Sequence, residues 1–246
     1  MEVHHHSHAH GKKTWKSYFW EFLMLFLAVF CGFFAEYQLE HKIEKDREKV
    51  YIQSMIEDLK IDTANLQLSI QSFKKQDAYF DTIALLYNEL PIHYNRSLRK
   101  SLDGIIGYKD FFPSDKTLQQ LKNAGAMRLI RNKNAADGIM TYDARLKEYE
   151  KSLNVLDDVF TKMHDLRMQI LDVTSVEKDI EKTSIDVVEN NGKNYLYNQD
   201  KALLGNYYNR ILTYRLLRNI VVRRMNTLLE NASQLIITLQ KSYDIE

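Results

Sequence analysis

Residues 22–35 read FLMLFLAVFCGFFA, an unbroken apolar run with a carboxylate on each side, Glu21 and Glu36. As an α-helix the run spans about 21 Å, which is shorter than the roughly 30 Å hydrocarbon layer of a bilayer. Aromatic side chains lengthen it on both sides, as they do at membrane interfaces: Trp15, Tyr18, Phe19, Trp20 and Tyr37. The sequence therefore predicts a transmembrane helix over residues 15–37, in preference to an interfacial helix or one buried against a partner.

A secretion signal also begins with basic residues followed by an apolar run. Its cleavage site requires small residues, and the bulky Phe33, Phe34 and Tyr37 occupy the corresponding positions here. We therefore expect the apolar segment to be retained as an anchor.

One face of this helix carries small and acidic residues at helical spacing: Glu21, Ala28, Gly32 and Ala35. Small residues let helices pack closely in lipid, and an acid near the hydrocarbon edge is costly when it faces lipid. This face is predicted to contact another transmembrane helix. Two alternatives stay open: Glu21 reaches the headgroups and pairs with Lys13 or Lys16, or it belongs to an ion pathway.

The chain begins with a histidine-rich tail, MEVHHHSHAHG, over residues 1–11. Its imidazoles are possible ligands for Zn, Ni or Cu ions: His4, His5, His6, His8 and His10. We expect residues 1–14 to be disordered and any metal binding to be adventitious, so no resident cofactor is predicted. Metal-ion buffering by the tail is an alternative function.

Composition limits the partners and the compartment. A net charge of +1 gives no general attraction to nucleic acid, and the lone Cys31 excludes a disulfide framework and a thiolate metal cluster. Lys12, Lys13 and Lys16 precede the apolar run with no acid among them, whereas the basic residues after it follow Glu36 and Glu40. The positive-inside rule then favours a cytoplasmic N-terminus. The predicted location is a bacterial inner membrane, crossed once, with residues 38–246 as a periplasmic helical-bundle domain.

Neither glycine nor proline occurs between residues 39 and 90, and apolar residues recur there about every 3.5 positions, as in coiled coils. This spacing predicts a helix of about 50 residues, continuous with the anchor and reaching roughly 75 Å. Its predicted seam consists of Ile52, Ile56, Leu59, Thr63, Leu66, Ile70, Phe73, Asp77, Phe80, Ala84 and Tyr87.

Two later stretches show the same period. The first seam comprises Ile139, Tyr142, Leu146, Tyr149, Leu153, Leu156, Phe160, Met163, Arg167 and Ile170. The second comprises Tyr207, Ile211, Tyr214, Arg218, Val221, Met225, Leu228, Ala232, Leu235 and Leu239. The fold class is therefore predicted as all-α, an elongated antiparallel bundle of three long helices in which the second runs antiparallel to the first. Arg167 and Arg218 are interpreted as polar layers that fix the register of the helices.

The remaining segments are predicted to be connectors. Pro91 and Pro113 bracket a stretch whose apolar residues are expected to plug the far end of the bundle. Ser114 or Asp115 caps a short helix that Gly125 ends, and Asn132 or Asn134 opens the next. A small β-hairpin with Asn191-Gly192 as its turn is predicted near the membrane end.

Residues 117–133, TLQQLKNAGAMRLIRNK, and residues 36–48, EYQLEHKIEKDRE, resemble segments of uncharacterised bacterial single-pass membrane proteins of unknown function. In that group a membrane helix precedes a helical domain. The resemblance implies a protein of the cell envelope, and it supplies no activity and no site residue.

No motif for catalysis is present: the sequence lacks a P-loop, a dinucleotide glycine motif, His-Glu-x-x-His, a nucleophile elbow and a cysteine pair. The isolated His41, His93 and His164 are expected to be surface or packing residues. The last helix is basic and interleaved with tyrosines, a pattern that also suits nucleic acid or anionic lipid. Its arginines, Arg210, Arg215, Arg218, Arg223 and Arg224, are instead expected to face the bundle acids Asp62, Asp157 and Asp158.

The sequence thus predicts a protein that is not an enzyme, but a membrane-anchored structural or interaction subunit of a cell-envelope complex. Its expected partners are the lipid bilayer and a second copy or another membrane protein, with no nucleic acid and no small-molecule substrate identified. A sensory or ligand-binding ectodomain is an alternative. It would signal through a partner, because the N-terminal tail is too short to contain an output domain.

Overall fold

The structure is a computed structural model that describes residues 14–92, 95–107, 109–172 and 196–245. Most of these residues are helical, and they form no β-sheet; a single antiparallel bridge among them joins Leu171 to Leu196. The predicted all-α class is therefore confirmed. The histidine-rich tail, His93 and the turn of the predicted hairpin lie outside the described residues.

The chain divides into two compact units, residues 1–50 and 51–246. The first helix, α1, runs from Trp15 to Lys75 and belongs to both, so no turn separates the predicted anchor from the rest of α1. Among the described residues, it is the helix long and apolar enough to cross a membrane, with a window of mean hydropathy 1.9 of which 0% is buried. These properties agree with the predicted transmembrane helix.

The second unit contains five further α-helices and two short 3-10 turns within the described ranges. In chain order they are α2 (Asp77–Leu86), a 3-10 turn (Tyr87–Glu89), α3 (Arg96–Gly104), α4 (Lys116–Asn123), a 3-10 turn (Ala126–Leu129), α5 (Lys133–Ile170) and α6 (Lys201–Tyr243). The first long helix was predicted to continue to about Leu90; it is interrupted by a turn at Gln76, between α1 and α2.

Local capping explains where the helices begin and end. The Asn132 side chain accepts a hydrogen bond from the Ala135 N–H at 3.0 Å at the start of α5, which confirms one of the two predicted caps. Asp200 caps α6 in the same way, through the Leu203 N–H at 2.8 Å. Gly125 has the left-handed conformation, with φ of 62°, that commonly ends a helix, and it follows α4 as predicted.

Helices α5 and α6 pack antiparallel. Arg224 of α6 donates to Glu148 of α5 at 2.8 Å. About three turns later in α5 and three turns earlier in α6, the ring centroids of Phe160 and Tyr214 lie 5.7 Å apart. Successive contacts thus pair later residues of α5 with earlier residues of α6.

Helices α1 and α2 run parallel to α5. The Tyr142 hydroxyl near the start of α5 donates to Asp62 of α1, whereas Phe80 of α2 packs 6.0 Å from Tyr214, which contacts the later α5 residue Phe160. The expectation that the second long helix runs antiparallel to the first is therefore wrong. Among the long helices of the described residues, α6 runs antiparallel to both α1 and α5.

The reason lies in the connector, residues 91–132, which returns along α1. The Lys109 N–H donates to Ser72 at 2.9 Å, and the Thr117 N–H donates to Asp58 at 3.0 Å. Moving forward along the connector therefore means moving backward along α1. The connector is therefore a return limb of the fold. Its apolar residues were predicted to plug the far end of the bundle, but Ile105 lies beside Gln76 at the turn between α1 and α2, and Phe111 packs against Tyr149 of α5.

The core of this unit follows the predicted seams closely. All predicted seam residues of α6 are buried, as are those of α5 except the half-buried Leu153 and Phe160. On the first limb, Gln76 and Ile83 are buried where the sequence favoured Asp77 and Ala84, and Asp62 is buried beside the expected Thr63. The predicted set and the observed set of buried residues both follow steps of three and four, so the period alone did not distinguish them.

The bridge between Leu171 and Leu196 joins the residue that follows α5 to the stretch that precedes α6. Arg167 lies close to that bridge along α5, and it contacts α3. Leu171 and Leu196 therefore lie at the end of the unit where α2 and α3 pack.

Candidate functional site

The described part of the first unit presents two unlike faces. One is a ladder of phenylalanine rings, each stacked on the next, with centroid distances of 6.2, 6.1 and 6.4 Å between Phe22, Phe26, Phe30 and Phe34. These rings are exposed. A continuous aromatic and apolar face of this kind suits acyl chains.

The predicted contact residues Glu21, Ala28, Gly32 and Ala35 lie on the other side of the helix. At about 100° per residue, their mean direction is roughly opposite to that of the phenylalanine ladder. A Cβ atom placed on Gly32 meets nothing within 4 Å, so the backbone is open there. This face is smooth enough to let a second helix approach closely.

No group of three or more His, Cys, Asp or Glu residues is arranged to hold a metal within the described ranges. The predicted ligands, His4 to His10, lie outside those ranges. His164 stacks on Phe160 with centroids 6.1 Å apart, and His41 stacks on Tyr37 at the same distance. Both contacts agree with the packing role expected for these histidines.

Arg218 forms a polar layer in the core of the second unit. Its side chain is 1% exposed, and Nη1 donates to Asp77 at 2.8 Å while Nε donates to the Gln76 Oε1 at 3.2 Å. The guanidinium also lies 5.6 Å from the Phe73 ring and 5.3 Å from the Phe80 ring, where cation–π attraction contributes. The predicted seam position of Arg218 is confirmed.

Gln76 extends this layer to the connector. Its Nε2 lies 3.3, 3.1 and 3.0 Å from the carbonyl oxygens of Gly104, Ile105 and Gly107, where α3 ends. One buried amide therefore joins the turn between α1 and α2 to the return limb, and Arg218 joins both to α6. Sequence reasoning missed Gln76 because Asp77, its polar neighbour, fits the same period.

Arg167 forms a second polar layer. It donates to the Leu102 carbonyl at 3.1 Å and makes a short ion pair with Asp103, whose other oxygen accepts from Arg99 at 3.1 Å. The side chains of Arg167 and Arg99 are 5% and 3% exposed, so one carboxylate bridges two buried guanidinium groups. The layer ties α5 to α3.

A third polar layer, centred on Asp62, was not predicted. Asp62 is 1% exposed and accepts hydrogen bonds from the Tyr142 hydroxyl at 2.5 Å and the Ser114 N–H at 2.7 Å. One turn earlier, Asp58 accepts from the Ser114 hydroxyl at 2.9 Å and the Thr117 N–H. The two acids of α1 thus cap the start of α4, in place of its own Asp115, whose side chain makes no cap hydrogen bond.

The sequence signal for this layer was weak but present: Asp58 and Asp62 are four residues apart, so they share one face of a helix. Burial raises the pKa of the Asp62 carboxyl above its ordinary value, and the carboxylates of Asp58 and Asp115 raise it further, against the opposing effect of the two hydrogen bonds. Burial and Asp62 also raise the pKa of Tyr142, so its hydroxyl keeps its proton.

The basic stretch of α6 meets acids of neighbouring helices, as expected. Arg218 pairs with Asp77 of α2, Arg215 pairs with Asp81 of α2, and Arg224 pairs with Glu148 of α5. Asp62 is engaged by Tyr142, and Asp158 by Lys162 of its own helix. Three of these arginines are therefore accounted for by packing within the unit.

No protein-family model, no curated protein and no solved structure matches this chain. The resemblance of residues 117–133 and 36–48 to bacterial single-pass membrane proteins thus remains a prediction from the sequence. The polar layers join elements of the fold to one another, which leaves the two faces of the first unit as the candidate site of function.

Proposed function

We propose that the protein is a non-enzymatic, single-pass membrane protein that serves as a structural or interaction subunit of a cell-envelope complex and associates with a second copy of itself. The observation that supports this proposal is the opposition of two faces on α1, a phenylalanine ladder and a smooth face around Gly32. The partner assigned to the smooth face is the same face of a second chain.

The two faces differ in what they gain from lipid. Aromatic rings of the ladder are well solvated by acyl chains and lose little by staying exposed to them. Around Ala28 and Gly32 a second backbone can come close, so that dispersion contacts and interhelical hydrogen bonds favour association. Glu21 at the edge of the same face is less costly beside a partner helix or the headgroups than within lipid.

Replacing Gly32 with leucine is expected to weaken self-association at least ~10-fold, or about 1.4 kcal/mol, because the added side chain holds the two backbones apart. Sedimentation equilibrium of the full chain in detergent micelles, at several protein-to-detergent ratios, measures this effect. The matched control is Phe30→Leu, which introduces the same side chain on the ladder and should leave the association constant unchanged. Equal association of the Gly32→Leu and wild-type chains would remove the support for this face.

The proposed location is a bacterial inner membrane, with the N-terminus in the cytoplasm and residues 38–246 in the periplasm. Lys12, Lys13 and Lys16, which precede the apolar run, support this orientation.

Impermeant maleimide labelling of spheroplasts tests the orientation. In a Cys31→Ser background, a cysteine replacing Lys241 should react in intact spheroplasts, whereas one replacing Ser7 should react only after permeabilisation. Lys241 is exposed near the end of α6, so burial does not prevent its labelling. The opposite pattern would reverse the proposed topology without affecting the proposed self-association.

A further inference from the structure

Three elements of the second unit meet at the Asp62 carboxylate. Oδ1 accepts from the Ser114 N–H of the connector, and Oδ2 accepts from the Tyr142 hydroxyl of α5 at 2.5 Å, while the carboxylate itself belongs to α1. The group is almost completely buried. A change in the protonation of Asp62 therefore alters the hydrogen bonds that join all three elements.

The titratable groups that face Asp62 come from each packed element. Asp58 lies one turn away on α1, Asp115 lies at the start of α4, and Tyr142 faces it from α5. Both acids disfavour a charge on Asp62, as burial does, so the pKa of Asp62 stands above its ordinary value. Asp62 therefore holds its proton more tightly in the folded protein than it would in water.

We infer that Asp62 is a proton-sensitive latch, which holds the start of α4 and the first part of α5 onto α1 more firmly when it is protonated. A protonated Asp62 keeps both contacts. One oxygen continues to accept from the Ser114 N–H, and the other donates its new proton to the Tyr142 oxygen, whose own hydroxyl proton then rotates away from the carboxyl. The buried charge and its repulsion by Asp58 and Asp115 disappear.

The sign of the pH dependence is set by the raised pKa. A carboxyl that binds its proton more tightly in the folded than in the unfolded chain stabilises the fold most below its unfolded pKa, about 3.9. That contribution is lost as the pH rises through the higher folded pKa. The latch therefore loosens towards neutral pH, the reverse of the usual behaviour of a salt-bridged aspartate.

Thermal unfolding of the full chain in detergent micelles, followed by circular dichroism from about pH 4 to pH 8, tests this inference. The variant Asp62→Asn keeps the shape and an acceptor for the Ser114 N–H but does not titrate. The Tm of the wild-type chain minus that of Asp62→Asn is expected to fall as the pH rises. Asp158→Asn, which changes an exposed acid of α5 that pairs with Lys162, is the control, and its difference from the wild-type chain should not fall as the pH rises.

A second variant, Tyr142→Phe, separates a latch from a merely structural contact. Loss of the hydroxyl removes a donor that favours the ionised carboxylate, so the pH range over which Tm falls should move upward. A wild-type minus Asp62→Asn difference that stays constant with pH, or a Tyr142→Phe range that does not move, would overturn the inference. If Asp62→Asn does not fold, the ¹³C chemical shift of the Asp62 carboxyl in the wild-type chain decides: a midpoint at or below the ordinary value overturns it.

Discussion

Arginine at both Phe26 and Phe30 is expected to remove the protein from the membrane fraction. Each arginine near the centre of a membrane helix costs about 2.5–3.5 kcal/mol on the insertion scale, so the pair costs about 5–7 kcal/mol. Both positions belong to the exposed phenylalanine ladder, so the change does not disturb a packed core. Carbonate extraction of membranes, followed by quantification of the pellet and the supernatant, measures the shift.

The control is the double variant Ile43→Arg with Val50→Arg. These residues are also exposed apolar positions of α1, but they lie beyond the predicted span of residues 15–37. This variant should stay in the pellet. A wild-type chain that appears in the supernatant, or a Phe26/Phe30 double variant that remains in the pellet, would contradict the transmembrane assignment and with it the proposed function.

Replacing Arg218 with alanine is expected to lower the free energy of unfolding by about 3–5 kcal/mol. Truncation leaves a cavity beside Phe73 and Phe80, and it deprives the buried Gln76 oxygen of its donor. For a unit of this size the melting temperature should fall by about 6–20 °C. Circular dichroism of the full chain in micelles, recorded against temperature, checks the prediction.

Two further variants define the role of the Arg218 layer. Arg218→Met retains much of the volume but not the hydrogen bonds, and it should cost about 1–3 kcal/mol because the Gln76 oxygen stays buried and unpaired. Arg223→Ala, at an exposed position of the same helix, should cost less than about 0.5 kcal/mol. Unchanged melting and unchanged oligomeric state in Arg218→Met would contradict the view that this layer fixes the register of the helices.

The features predicted best from the sequence are the apolar seams and the helix caps, which depend on a local pattern of residues. The seams of α5 and α6 were correct because each helix has a single strong apolar stripe, and Arg167 and Arg218 stood out as charged residues within those stripes. Asn132 and Gly125 were recognised because capping depends on residue type and backbone conformation within a few positions.

The path of the chain between the long helices was not available from periodicity. The stripe of α5 is equally compatible with either direction, and only contacts of the connector with Ser72 and Asp58 reveal that it returns along α1. The Asp62 layer was missed for a related reason. A buried acid interrupts an apolar seam without any sign of which distant hydroxyl or amide satisfies it, and Tyr142 is 80 positions away.

The candidate contact face of the first unit follows from the spacing of Glu21, Ala28, Gly32 and Ala35. The structure adds the stacked ladder on the opposite side, where phenylalanines recur every four residues. Spacing reveals which residues share a side of a helix, but the identity of a neighbour depends on a second molecule.

Arg218 of α6 pairs with Asp77, a residue that the ribosome adds 141 positions earlier. While the ribosome is still translating the middle of the chain, the apolar seam of the first limb has no α6 to cover it. Helices α5 and α6, in contrast, are neighbours in sequence and can pair as soon as both have emerged. We therefore expect the nascent chain to rely on a chaperone until its last helix is made.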